Sequence, residues 1–273
     1  MRKLSEAFFQ GGLRGSNKNK IRTVPLVVIR GTSYAKLLTY PSADNAELEA
    51  RLRELAAIGV SAIRFVGPSM LDGLEVLGKG CVGLVTEAIL EDELVALKVR
   101  RLDADRPSMQ EEARLLRLAN SVEVGPRLIT ATKNFLVMEF FDGIPLFKWA
   151  NTPGRRVRTV KEVLTNLLNA CFRLDAIGLD HGELSRAPKN VLVGGDGQGC
   201  IVDFESASMV RRVANVTSLL QYFLFGSISK TLRIPSMFPQ RRKILGALSR
   251  YKHEGSVESY GNLLQTLRLK DYN

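Results

Sequence analysis

Hydrophobic residues recur at helical spacing in one long stretch of the chain. Val160, Val163, Leu164, Leu167, Leu168, Cys171, Phe172 and Leu174 fall on a single face of a helix that begins near Thr159. A stripe of that kind predicts core packing. Upstream the pattern differs. Between Gly73 and Phe141, runs suited to strands alternate with one helical segment, MQEEARLLRLAN, so this part is expected to be β-rich. Nearer the N-terminus, Leu26 to Arg30 and Tyr34 to Tyr40 read as paired strands around Gly31. Asp44, with Glu47 three residues on, is expected to cap a helix that runs to about Ile58 and stops before Gly59. Ser61 to Val66 reads as another strand. After Asp203 the segment VRRVANVTSLLQYFLF is expected to turn helical almost at once. These readings divide the chain into a flexible basic arm (1–22), an α/β module (23–70), a β-rich lobe (71–140) and a helical lobe (141–273). The module is either separate or packed on the β-rich lobe.

Composition narrows the class. With 45% hydrophobic residues, 273 residues suffice for a buried core, and the 7% aromatic content makes that core mainly aliphatic. Three well-separated cysteines without a CxxC, and only two histidines, argue against a disulfide framework or a histidine-rich metal centre and fit a reducing cytoplasm. The longest apolar run, Leu219 to Phe225, is far too short to span a bilayer, so no membrane partner is expected. Charge is more telling. The formal net charge is +11, and the excess is concentrated. Met1 to Arg22 carries six basic residues against Glu6 alone, and Ser206 to Lys252 carries nine basic residues with no acid. Such stretches suit a polyanionic partner.

The chemistry-bearing residues come in a particular order. LGKGCVGLV supplies Gly78, Gly80, Gly83 and Val85 in a G-x-G-x-x-G-x-V pattern, which lets backbone amides approach phosphate. Lys98 follows Val85 by thirteen residues and is placed to grip the α- and β-phosphates. A helix-borne acid must hold such a lysine. Glu112 suits that role, with the adjacent Glu111 as its rival. LVMEFFDG then reads as a strand entering a hinge, where Glu139 to Phe141 offer backbone groups to adenine and Met138 backs its pocket. Finally, LDHGELSRAPKNVLVGGDGQGCIVDFES presents His181-Gly182-Glu183, Asn190 and Asp203-Phe204-Glu205. A carboxylate beside the attacking hydroxyl, with Asn190 and Asp203 oxygens on Mg²⁺, is what phosphoryl transfer requires.

Taken together, GKGCVGLV, ALKVRRLDADR, EEARLLRLAN, VMEFFDG and HGELSRAPKN…VDFESAS resemble the atypical protein-kinase superfamily, near the RIO kinases and the small kinase of the KEOPS tRNA-modification complex. The likeness is specific from about Gly59 to Leu220 and weak outside that span. More narrowly, these segments are similar to an archaeal group described as predicted Ser/Thr kinases, which includes RNA kinases acting on an internal 2′-hydroxyl of tRNA. The resemblance implies an α+β, two-lobed protein-kinase-like fold, with a β-rich N-lobe containing one helix, a helical C-lobe and a small N-terminal β-β-α-β extension. It also implies ATP and Mg²⁺ as cofactors and Glu183, Lys98 and Glu112 as catalytic residues. Three departures stand out: Glu183 replaces an aspartate, Asn190 lies seven residues beyond it instead of five, and Glu205 replaces the glycine of Asp-Phe-Gly. No Ala-Pro-Glu motif follows, so peptide-docking machinery is missing. Arg211, Arg212, Arg241, Arg242 and Lys243, with Arg155, Arg156 and Arg158 beside them, are expected to hold an RNA backbone instead. The expected substrate is tRNA, the alternatives being a protein substrate or a catalytically silent nucleotide-binding scaffold. Removing Lys98 or Asp203 is expected to abolish transfer and leave the fold intact.

Overall fold

The computed structural model describes residues 21–269; the basic arm up to Lys20 lies outside them. The chain opens on strand β1 (Arg22–Pro25) and helix α1 (Lys36–Thr39), then α2 (Asn45–Ala57), β2 (Val60–Phe65), β3 (Ser69–Leu71), β4 (Leu74–Val76), β5 (Gly78–Lys79), β6 (Gly83–Leu90) and β7 (Glu93–Arg100). Next come α3 (Gln110–Asn120), β8 (Leu128–Ala131), β9 (Phe135–Glu139), β10 (Gly143–Pro145), α4 (Leu146–Asn151) and α5 (Val157–Ala176). The last part holds α6 (Ala187–Asn190), β11 (Val191–Gly194), β12 (Gly199–Ile201), α7 (Asn215–Phe225), α8 (Ile228–Thr231), α9 (Ile234–Met237), α10 (Arg241–Glu254) and α11 (Val257–Thr266).

Seven strands form the main antiparallel sheet in the order β1-β2-β6-β7-β9-β8, with β5 paired to β6. Its centre is the β6–β7 hairpin. Glu91 and Asp92 both take positive φ at its tip, the two-residue turn geometry that matches strand twist. The hairpin register sets Val85 opposite Lys98, and β9 sets Leu136 on the other side of Lys98. Under this sheet Leu52 and Leu55 of α2 pack with Ile63, Leu97 and Phe135. A second core surrounds α5, whose Val160, Val163, Leu164, Leu167, Leu168, Cys171 and Leu174 are all buried as the spacing predicts. Each leucine there contributes about 1.5–3 kcal/mol. Ala113, Leu116 and Ala119 of α3 belong to this second core, so α3 ties the sheet to the helical lobe. The architecture is therefore the expected α+β arrangement. Among the described residues no helix is long and apolar enough to cross a membrane.

Two local expectations are corrected. Leu26–Arg30 and Tyr34–Tyr40 are not strands; they form 3-10 turns at Leu26–Val28 and Ser33–Ala35, followed by α1. The reason lies in which residues are buried. Leu26, Ile29, Leu37 and Leu38 point inward, while Val27 is 82% exposed, and that spacing follows turns, not the two-residue period of a strand. The strand of this region is β1, which pairs with β2 and thereby enters the main sheet. Asp44 does cap α2, accepting from the Glu47 amide at 3.0 Å. The other correction concerns α7, which starts at Asn215, well after Val210. Its first amides are capped from a distance: Asp175 of α5 accepts from Asn215 N (3.0 Å) and Val216 N (3.3 Å).

Candidate active site

Lys98 is the focus of the site. Its side chain is 4% exposed, on strand β7 between β6 and β9. Its Nζ donates to Glu112 Oε1 (2.9 Å) from α3, Asp203 Oδ1 (2.7 Å) and Glu205 Oε2 (2.9 Å) from the segment after β12. Of the two adjacent acids, Glu112 turns inward, whereas Glu111 is exposed and paired with Arg114 at 2.7 Å. Burial alone would lower the Lys98 pKa, but the three surrounding carboxylates outweigh it and hold it raised. The ammonium therefore stays charged. Burial conversely pushes the Glu112 carboxyl upward, against the pull of Lys98. Gly83 is needed beside this lysine, because a Cβ there would sit 3.0 Å from both Lys98 Cγ and Cε.

Asp203 adopts φ 71° and ψ 70°, a left-handed conformation that costs a non-glycine residue about 1–3 kcal/mol. That backbone sits on the loop leading its carboxylate to Lys98, and the neighbouring strand connection fixes it. Val202 N donates to Asn190 O (2.9 Å), so Asn190 and Asp203 are brought side by side. Asn190 Nδ2 donates to Glu183 Oε2 (3.1 Å), and Ser206 Oγ donates to Glu183 Oε1 (3.0 Å). The two extra residues between Glu183 and Asn190 are taken up by consecutive helical turns, Leu184–Arg186 and α6. Ser206 and Glu205 are members of this constellation that the motif reading passed over. Glu205 had registered only as a lost glycine.

His181 lies beneath the loop with its ring edge-on to Phe204, and its Nε2 is 3.1 Å from Val202 O. Burial lowers its pKa, outweighing the hydrogen bond and the nearby acids, which favours the neutral ring in the folded protein. Donation from Nε2 leaves Nδ1 as the bare acceptor, and Nδ1 has no partner among the described residues. An unfolded histidine takes up a proton near pH 6.5. Stability is thus expected to fall as pH drops below that value, by up to about 1.4 kcal/mol per pH unit, until the folded ring itself titrates. Urea unfolding at pH 7.5 and 5.5 checks this. The difference should shrink in His181→Gln; an equal acid loss in the variant would show that other groups cause it.

The remaining predicted residues divide. Gly78 pairs with Val85, and Gly80 N donates to Gly83 O (2.8 Å), forming the expected glycine hairpin next to Lys98. At the end of β9, where a hinge is expected, Met138 is half-buried against the helical core, and the Glu139 amide is already bonded to Arg127 O (2.9 Å). Glu139 and Phe141 also line a cavity of about 450 Å³ at the lobe junction, which none of the glycine-loop residues borders. Of the basic residues, Arg211 is bound to Asp180 Oδ2 (2.8 Å) and Ser206 O (2.6 Å), Arg212 to Lys252 O (2.6 Å), and Arg241 lies 4.0 Å from the Phe225 ring centroid. Arg242 and Lys243 are exposed.

Among the described residues no three His, Cys, Asp or Glu side chains are arranged to hold a metal by themselves. The donor set still fits Mg²⁺ in the form it takes on phosphates. One carboxylate (Asp203, 35% exposed) and one amide oxygen (Asn190) are hard donors that would hold the ion, with phosphate oxygens and water supplying the rest.

Comparison with known proteins places these residues in context. The chain is 30% identical over 148 residues to the CBL-interacting serine/threonine-protein kinase 5 of Arabidopsis thaliana, an alignment covering 50% of this chain and 33% of that protein. The chain thus matches about a third of that relative's length. The RIO domain, an atypical protein-kinase family, matches residues 92–221, a span that contains Lys98, Glu112, Glu183, Asn190, Asp203 and Glu205 and leaves out the glycine hairpin and everything before it.

Proposed function

We propose that this protein is an ATP- and Mg²⁺-dependent phosphotransferase whose acceptor is an internal ribose 2′-hydroxyl of tRNA. The observation that carries the first half is the convergence of Lys98, Glu112 and Asp203 next to the linked pair Glu183–Asn190. Lys98 is suited to hold α- and β-phosphate oxygens, with Glu112 keeping it in place. Asn190 and Asp203 would hold Mg²⁺, which neutralises charge on the phosphates when bound. Glu183, oriented by Asn190 and Ser206, accepts the hydroxyl proton as that oxygen bonds to the γ-phosphorus and the bond to ADP breaks. Its two hydrogen-bond donors are neutral, an amide and a hydroxyl, which suits a carboxylate acting as a base.

Support for an RNA acceptor comes from the C-terminal helices. A groove of about 570 Å³ runs between α10 and α11, lined by Lys243, Arg268 and Arg250, the last paired with Glu254 at 2.7 Å, and by the amides of Gln240, Asn262 and Gln265. Gly246 forms part of its lining, and a Cβ there would meet nothing within 4 Å. Cations and amides in an open groove suit a sugar–phosphate backbone. Lys243→Glu/Arg268→Glu, which reverses two cations of the groove, is expected to weaken tRNA binding and to reduce the slope of log affinity against log salt by about 1 for each phosphate no longer held. Unchanged affinity and slope would remove the reason for preferring RNA. The Arabidopsis relative, a serine/threonine-protein kinase, favours a second reading, a Ser/Thr protein acceptor. Incubation with labelled ATP, tRNA and a basic protein separates the two. Label at alkali-resistant internal positions of tRNA, where a 2′-phosphate blocks cleavage, supports the RNA reading; label in protein alone supports the other.

A further inference from the structure

We infer that the segment from Lys36 to Tyr40 works as part of the nucleotide clamp, with Tyr40 as the positioning residue for the glycine hairpin. The inference rests on reading that hairpin as the phosphate cradle. Tyr40 follows α1, and two cations flank its ring: Lys79 Nζ lies 4.7 Å from the ring centroid and the Arg101 guanidinium 5.0 Å. Lys79 Nζ also donates to the Tyr40 hydroxyl (2.9 Å). Arg101 reaches the hairpin directly. Its Nη1 donates to Gly80 O (2.9 Å) and its backbone N to Val82 O (2.9 Å), while Leu102 N donates to Tyr40 O (2.9 Å). Asp103 accepts from Nε and Nη2 along another edge of the same guanidinium, at 2.8 and 2.6 Å, so its orientation is determined.

Tyr40 itself is rigidly mounted. Leu37 and Leu38 are buried, and the fully buried Arg51 of α2 donates to Leu38 O (2.7 Å) and Arg100 O (2.6 Å), held in turn by Glu47 (2.7 Å). The same network thus joins the module, the last residue of β7 and the residue that grips the hairpin. This has a physical purpose. A hairpin with glycine at 78, 80 and 83 has large backbone freedom, and binding phosphate through its amides means losing that freedom. A hairpin ordered beforehand loses less on binding. Lys79 and Tyr40 lie outside the matched RIO span, so that likeness assigns them no role.

The test uses the full chain, wild type, Tyr40→Ala, Tyr40→Phe and Lys79→Met, with two readouts: hydrogen exchange of the amides of residues 78–83, and affinity for Mg²⁺·ATP. Tyr40→Ala should speed exchange across the hairpin and weaken ATP roughly tenfold, the scale of one or two cation–ring contacts, raising KM far more than it lowers kcat. Tyr40→Phe, which keeps the ring, should stay within about threefold of wild type. Lys79→Met, an exposed change that leaves the module's core untouched, should move both readouts in the same direction and keeps the test decisive if Tyr40→Ala does not fold. Hairpin exchange at the wild-type rate in folded Tyr40→Ala or in Lys79→Met overturns the inference. Faster hairpin exchange in a protein whose wild type binds no ATP would instead overturn the nucleotide reading and leave the brace standing.

Discussion

Lys98→Ala is expected to abolish phosphate transfer and also to destabilise the fold by about 3–5 kcal/mol, because it strands buried carboxylates without their cation. The activity loss follows from position: the ammonium is the only positive charge bonded to both Glu112 and Asp203 among the described residues. The expectation that the fold stays intact thus gains a quantity: the variant folds with a smaller margin of stability. Glu112 is buried, its Oε2 already lacks a partner among the described residues, and Asp203 and Glu205 depend on the same Nζ. Removing the lysine leaves three acids within mutual repulsion. A double variant separates the two effects. Lys98→Met/Glu112→Leu replaces the most buried pair with apolar groups and should recover part of the lost stability, Asp203 and Glu205 being the more exposed acids left behind. It should recover no activity. Urea unfolding and transfer of labelled phosphate measure the two quantities side by side. Transfer by Lys98→Ala within tenfold of wild type would dismiss Lys98 as the phosphate-gripping residue.

Glu183→Gln should lower kcat by about 10²–10⁴ while leaving ATP affinity within twofold, the signature of a lost general base. The substitution is nearly isosteric, so shape is preserved. What changes is proton acceptance. The geometry adds a local penalty, because Asn190 Nδ2 and Ser206 Oγ both donate to the carboxylate, and an amide offers an acceptor to only one of them. The variant amide should therefore turn its oxygen to one partner and disturb the other. Single-turnover rates at saturating ATP separate a slowed chemical step from weakened binding. A full wild-type rate in Glu183→Gln would end its assignment as the base, and Asp203 would be the carboxylate to test next.

Much of the site could be read along the chain because its local pieces are encoded locally. The α5 stripe, the Asp44 cap and the glycine hairpin at 78–83 depend on residues within a few turns or one pleat of each other, and their local pattern survives into the fold. Features that depend on distant parts of the chain were hidden. Adjacent Glu111 and Glu112 look alike in sequence, and only the docking of Ala113 and Leu116 into the helical core turns one inward and leaves the other in solvent. Leu26 to Tyr40 has the letters of strands, yet contact with the core at Leu26, Ile29, Leu37 and Leu38 selects turns. Glu205 reads as the absence of a glycine and not as a partner of Lys98, and nothing near Arg211 in the sequence shows that Asp180, 31 positions earlier, pairs with it.

The order of the chain alone determined which chemical groups this protein carries, their spacing, and the split into a strand-rich and a helical part. Tertiary structure alone decided which of them meet. Lys98 and Asp203 are separated by 105 positions, and Arg51 and Arg100 by 49, so no local period links them. Such contacts are set by sheet register and by how α3 packs between the two cores, and these depend on the summed burial of many side chains at once.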